Sequence, residues 1–405
     1  MKFWKSLSLG KKILAGIVCG LIIGFASPEA ADFISPLGSI FLRMLKMLIV
    51  PLVFFSITSG ICKMGDVKQL RSVGMRYVAW ILVSAVLASI VGVVGALIVQ
   101  PGRGTTEFLA AAEAAEAAEY SFINNVIGWF PTNIVESMYN ANLLQIIVFT
   151  LFLGVALLAL GDRVSGLVKL IDQCSDTMLK ITEYVIGFSP LGIMSLIATL
   201  VSTMSGAMMA EVIKFIVLDN VCGIVILLVY PFITSALAKV NPLRLVKKVL
   251  PAVLVAASTS SSAATLPVSI KVCDEELGIP ENIYGFTLPL GNTCGMTGFA
   301  MFIGMCCIFA SNLYGFDITF ARIVQFVFLG LILSIGAAGV KGAGVVMSGV
   351  LLESLGMPLT LIPILAAIWP AIDPCHTTLN NVGDLAGTVI VSRSLDKMDM
   401  DVFNK

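Results

Sequence analysis

Long apolar runs separated by short polar stretches set out the chain. Runs close to the roughly 20 residues that a helix needs to cross a bilayer cover Ile13 to Ala26, Ile40 to Ile61, Tyr77 to Gln100, Leu143 to Leu160, Met178 to Val201, Val212 to Ala238, Tyr284 to Ala310 and Leu361 to Val391. They predict eight spanning helices. Two further apolar stretches are badly built as spans: Val249 to Ile270 contains ASTSSSAATLP, and Ile323 to Leu352 contains SIGAAGVKGAG. Serine and glycine runs with a proline interrupt a helix, and the freed backbone groups survive at membrane depth only where protein or a water-filled cavity encloses them. Both stretches are therefore expected to be re-entrant hairpins. Paired interrupted segments of this kind point to the binding site of a membrane carrier.

The last apolar run carries a polar stripe. Asp373, Thr377, Asn380 and Asp384 follow one another at four, three and four residues, so a helix of about 3.6 residues per turn stacks them on one face. A carboxylate at bilayer depth costs about 2.5 to 3.5 kcal/mol on insertion scales and faces a cavity, a partner or a cation. Two of them about three turns apart predict a cation or ammonium site. Asp373 before Pro374 also reads as a helix cap, but capping cannot account for Asp384, deep in the same helix.

Composition agrees with a membrane protein: 58% of the 405 residues are hydrophobic and 12% charged, against about a quarter charged in soluble domains, and the mean hydropathy is +0.99. The formal charge is zero and there is one histidine, so no basic field invites nucleic acid. Nine cysteines lie mostly in apolar segments without C-x-x-C pairs and read as small packing residues, not as a disulfide or zinc framework. The N-terminal MKFWKSLSLGKK and its apolar continuation run directly into more spans, so they are read as a retained first helix and not as a signal peptide. With this layout most lysines and arginines, from Lys2 through Lys63, Arg163 and Lys247 to Arg393, fall on one side, while Arg103, Lys214 and Arg322 fall on the other. The crowded side is cytoplasmic by the positive-inside rule, with both termini there; the first hairpin then enters from the cytoplasm and the second from outside. The Ala/Glu-rich stretch from Thr105 to Glu119 reads as a solvated extracellular loop. No GxxxxGK[ST] loop is present, which disfavours direct ATP drive.

Four ordered motifs, Ser258 to Pro267 (STSSSAATLP), Tyr284 to Gly291 (YGFTLPLG), Gly339 to Gly344 (GVKGAG) and Asp373 to Asp384 (DPCHTTLNNVGD), together with KMLIVPLVF in the second span, resemble the dicarboxylate/amino acid:cation symporter family over essentially the whole chain. The resemblance implies an all-α polytopic protein of eight transmembrane helices and two re-entrant hairpins, a homotrimer in the cytoplasmic membrane. A scaffold (1–72 and 121–202) would hold an elevator-type transport domain (73–102 and 203–405), with 103–120 as an extracellular loop. It also implies roles. Asp373 would pair with the substrate's α-ammonium, and Asn380 would hydrogen-bond its carboxylate with Ser261 and Ser262 of the first hairpin tip. Val340 and Gly344 of the second hairpin, with Phe299, His376 and Thr377, would complete the substrate site. Asp384 with carbonyls near Gly291 and Asn380 would hold one sodium ion, and carbonyls around Thr293, Met296, Ser334, Ile335 and Ala337 a second. Oxygen ligands suit a hard cation such as sodium, and two ligands that favour one closed state raise each other's affinity. No cofactor is implied beyond coupled sodium.

Three departures shape the expected substrate. Members that carry acidic substrates have an arginine where this chain has His376 and a threonine where it has Phe299; histidine cannot reproduce a bidentate guanidinium grip. A small neutral amino acid, of serine, threonine or alanine type, is therefore expected, with a dicarboxylate or acidic amino acid as the alternative. The family's NMDGT stretch is here Gly295 to Phe299 (GMTGF), and the positions that would build a third sodium site read Gly295, Thr297, Ile81, Ser84 and Ala85, so fewer coupled sodium ions are expected from ligand count. Lys341 stands at the outer hairpin tip in place of proline, where it meets an acidic substrate, stands in for a missing cation by placing an ammonium near the site, or is solvated. His376 either bonds to a neighbour such as Thr377 or Asp373 or makes transport respond to pH. A polar stripe can also line a channel, while an enzyme lacks a nucleophile–base–orienter set.

Overall fold

The computed structural model describes residues 9–62, 70–105, 127–140, 142–336 and 343–405. Every regular element among them is helical. Five segments of the described residues are long and apolar enough to cross a membrane: Ser72–Val99, Val148–Val185, Gly206–Ala238, Glu281–Tyr314 and Leu359–Ser394. They include or overlap expected spans.

The chain opens with α1 (Leu9–Ala26) and α2 (Pro28–Cys62), the latter beginning well before the expected Ile40 because Pro28 supplies a ready first-turn residue. After α3 (Leu70–Val99) come the short α4 (Ile134–Tyr139), α5 (Leu143–Leu160), α6 (Ser165–Gly187) and α7 (Ser189–Thr203). The single span expected over 178–201 is thus two helices. Pro190 sits in the first turn of α7 and lacks an N–H to continue the ladder of α6. Helix α8 (Gly206–Ala238) leads into α9 (Pro242–Thr259) and α10 (Ser262–Lys271), which pack on each other as a helix–turn–helix. The turn is made by Ser260 in the left-handed region at φ 47° and by Ser261, whose hydroxyl caps α10 by accepting from the Ala264 N–H. A non-glycine residue there costs about 1 kcal/mol, held in place by the serine-rich turn around it.

The run 284–310 is also not continuous. It forms α11 (Glu281–Cys294) and α12 (Thr297–Tyr314), interrupted at Gly295 and Met296, whose ψ angles of 51° and 59° are not helical. Helices α13 (Phe320–Gly336) and α14 (Ala343–Ser354) flank the second serine/glycine segment; Ala337, Val340 and Lys341 lie outside the described residues. The chain ends with α15 (Ile362–Ser394) and the short α16 (Met400–Asn404).

Packing sorts the helices into two groups. Helices α1, α2, α5, α6 and α7 pack on one another, while α3 and α8 to α15 surround α12 and α15. The groups meet chiefly where α7 touches α15 and α14 touches α2. Nearly every residue of α12 is buried. Small residues permit the tightest crossings: a Cβ on Gly92 of α3 would strike the main chain of α12 at Met301. Helix α16 closes the far end by burying Phe403 against α9, where Lys248 lies 5.9 Å from its ring centre.

Candidate functional site

The site forms where the break between α11 and α12 faces the middle of α15. Pro370 and Pro374 lie inside α15; neither has an N–H, so the carbonyls one turn earlier lose their usual partners. Beyond them the helix is buried on all sides, from His376 to Val389. The break in the other helix leaves two helix ends inside the protein, the carboxyl end of α11 and the amino end of α12, whose unpaired groups must be satisfied by side chains or by a ligand.

Asn380 does part of this. Its Oδ1 accepts from the Gly298 N–H in the first turn of α12 at 2.8 Å, and its Nδ2 donates to the Met296 sulfur at 3.1 Å. Asp384 lies one turn further on, buried at 5% exposure. Among the described residues its carboxylate accepts from the Tyr77 hydroxyl at 3.2 Å and makes no ion pair. A Cβ built on Gly291 would overlap both the Tyr77 hydroxyl and Asp384 Oδ1, and one on Gly295 would overlap the same oxygen. Gly291, Gly295, Asp384 and Tyr77 therefore converge, and the two glycines keep the main chain within ligand reach of a buried carboxylate. A carboxylate in such surroundings is costly unless a cation or a proton joins it. This is a donor set for a hard cation.

The other expected sodium residues are only partly brought together. Met296 is at the break, and Thr293, one turn before it, donates its hydroxyl to the Pro289 carbonyl. Ser334 and Ile335 lie near the end of α13, which touches α11; the Ser334 hydroxyl bonds within its own helix to Leu331. Ala337 falls outside the described residues. Of the positions corresponding to a third site, Ile81 and Ala85 are buried hydrocarbons, and Ser84 spends its hydroxyl on the Ile81 carbonyl. Tyr230 and Thr297 crowd Gly383, their oxygens 2.9 and 3.3 Å from where a Cβ would stand.

Of the expected substrate residues, Asp373 is half-buried on α15 one turn before Thr377, which is buried. Ser261 caps α10, and Ser262 accepts from Asn381 Nδ2 at 3.2 Å, which ties the first hairpin to α15. Gly344, at the start of α14, lies so close to Trp369 that a Cβ would overlap the indole. Phe299 stacks on Phe302 and meets Trp369 edge-on. His376 bonds neither to Thr377 nor to Asp373: its Nε2 lies 2.8 and 3.0 Å from the two carboxylate oxygens of Asp219 on α8. Asp219, Tyr77, Asn381 and Trp369 were not marked by the sequence reading. Asp219 had a usable signal, a carboxylate inside an apolar run; Tyr77, at the edge of its run, had none.

A helical protein with several bilayer-length apolar segments, a broken helix pair and a buried carboxylate at the break has the construction of a membrane transporter. The chain matches the sodium:dicarboxylate symporter family over residues 9–394 and belongs to it. It is a transporter and not an enzyme. It is 26% identical over 400 residues to the proton/sodium-glutamate symport protein of Geobacillus stearothermophilus, an alignment covering 96% of this chain and 95% of that one. It is 28% identical over 411 residues to the proton/glutamate-aspartate symporter of Escherichia coli, covering 97% and 94%. It is 30% identical over 429 residues to the neutral amino acid transporter B(0) of Bos taurus, covering 96% and 79%.

Proposed function

We propose that the protein is a sodium-coupled symporter of a small neutral amino acid. The observation that carries this reading is the convergence of Asp384, Tyr77, Gly291 and Gly295 on the break between α11 and α12, beside Asn380. Sodium would bind at Asp384 and the neighbouring carbonyls. The substrate would sit between the two hairpins, its ammonium on Asp373 and its carboxylate on Asn380 and the Ser261–Ser262 tip. The protein would have eight spans and two hairpins, form a trimer with both termini in the cytoplasm, and move its α3, α8–α15 group against the other. Support for a neutral side chain comes from Phe299 and from His376, which is already engaged by Asp219. The relatives named for glutamate support the alternative, an acidic amino acid or a dicarboxylate.

Labelled serine, alanine and aspartate, offered to proteoliposomes of the purified protein with and without a sodium gradient, separate these readings. Serine or alanine uptake that requires the gradient, saturates and shows counterflow is the expected result, and Asp373→Ala is expected to lower it by about 100-fold, as befits loss of the charge partner of the substrate's ammonium. Aspartate uptake without serine uptake would sink the neutral reading, and a gradient-independent flux without counterflow would point to a channel.

Stoichiometry gives a second test. Because the third-site positions are filled by Ile81, Ala85 and Gly295, fewer than three sodium ions are expected to move with each substrate. Reversal potentials measured at several sodium ratios give the number directly, and a value of three would overturn the expectation.

A further inference from the structure

Asp219 and His376 form a buried pair to which the sodium-site reading gives no role. Their side chains are 0% and 3% exposed, and both carboxylate oxygens reach the same imidazole nitrogen. Around the imidazole the surroundings are apolar and aromatic: the Phe302 and Trp369 rings lie 5.6 Å from it, and Phe299 packs on both of them. The other ring nitrogen, Nδ1, is buried with no hydrogen-bond partner among the described residues. One end of the imidazole is thus fixed and the other is open.

We propose that Asp219 is a specificity-determining residue: by occupying the Nε2 of His376 it denies that group to the substrate and sets a carboxylate beside the side-chain pocket, and it thereby excludes substrates with an acidic side chain. This rests on the reading of the pocket given above. A buried carboxylate left unanswered costs several kcal/mol, and here the Nε2 of His376 faces both oxygens of Asp219. A serine, threonine or alanine side chain entering the pocket leaves that pairing intact, and Nδ1 remains to meet a hydroxyl. An aspartate side chain would add a negative charge beside Asp219 with no further cation among the described residues around the pair to answer it, and like charges brought together out of water cost several kcal/mol. Asp219 touches the substrate only through His376, which it holds.

The test is Asp219→Asn, which keeps the shape and the hydrogen bond but removes the negative charge, leaving His376 to be matched by the substrate. In proteoliposomes with a fixed sodium gradient, the ratio of kcat/KM for aspartate over serine is expected to rise by at least about tenfold, while Asp219→Glu keeps the wild-type ratio. A purely structural residue would lower uptake of both substrates together. His376→Gln probes the opposite imbalance and serves if Asp219→Asn does not fold: it leaves the carboxylate unmatched and is expected to make 2,3-diaminopropionate a better competitor of serine uptake. An unchanged aspartate-to-serine ratio in folded Asp219→Asn, or an unchanged competitor series in His376→Gln, would overturn the assignment. Wild-type preference for aspartate over serine would instead sink the neutral-substrate reading, so the two failures are distinct.

Discussion

Asp384→Asn is expected to abolish sodium-driven uptake while leaving the sodium-free protein at least as heat-stable as the wild type. The carboxylate is buried and hydrogen-bonded to Tyr77, with no ion pair among the described residues. Without sodium it is a burden on the fold, since replacing an unmatched buried charge with a neutral isostere removes its desolvation cost. With sodium it is the counter-charge, and its loss is expected to weaken binding by about 3 kcal/mol or more, roughly 100-fold. Melting curves show both effects. Wild type gains stability as sodium is added, because a ligand that binds only the folded state raises it by mass action; the variant starts no lower and gains little. A sodium-induced shift of wild-type size in Asp384→Asn would place the ion elsewhere.

Gly298→Ala is expected to lower both thermal stability and uptake, the latter by about tenfold or more. A Cβ there would stand 2.6 Å from the Cα and 2.7 Å from the carbonyl oxygen of His376. Those are main-chain atoms inside a buried helix and cannot swing aside, so α12 must move off α15 at a cost of about 1–3 kcal/mol. That movement pulls the Gly298 N–H from Asn380 and opens the junction at which both ligands are proposed to bind. Gly285→Ala is the control. Its Cβ would find only a Glu281 side-chain carbon at 3.8 Å, and it lies within α11, where alanine is the better helix former by about 1 kcal/mol. Melting temperatures and serine uptake of the two variants should diverge; equal behaviour would show that the crossing at Gly298 is not constrained.

Most of the helical layout was legible because burial in lipid and burial in protein demand the same apolar runs. The missed interruptions have different causes. Ser189–Pro190 carried a local signal, the proline. The break at Gly295 and Met296 carried almost none, since neither residue stops a helix by itself; it persists because Asn380 and Asp384 on another helix occupy the space and hydrogen-bonding capacity around it. The stripe of Asp373, Thr377, Asn380 and Asp384 was readable from spacing alone, whereas its partners Tyr77 and Asn381 were not, because the first comes from a distant helix and the second lies off the stripe. Lys341 and Val340, at the second hairpin tip, lie outside the described residues.

Helix α12 has the composition of a lipid-facing span, yet almost none of its surface is left for lipid. Its neighbours are side chains of α3, α8, α13 and α15, so the constraint on it is volume and not oiliness. During assembly this segment must trade a fluid, forgiving solvent for a fixed one. Once it has done so, a thicker, thinner or differently charged bilayer has no direct purchase on the break between α11 and α12. Such changes can act on it only by tilting the outer helices that enclose α12.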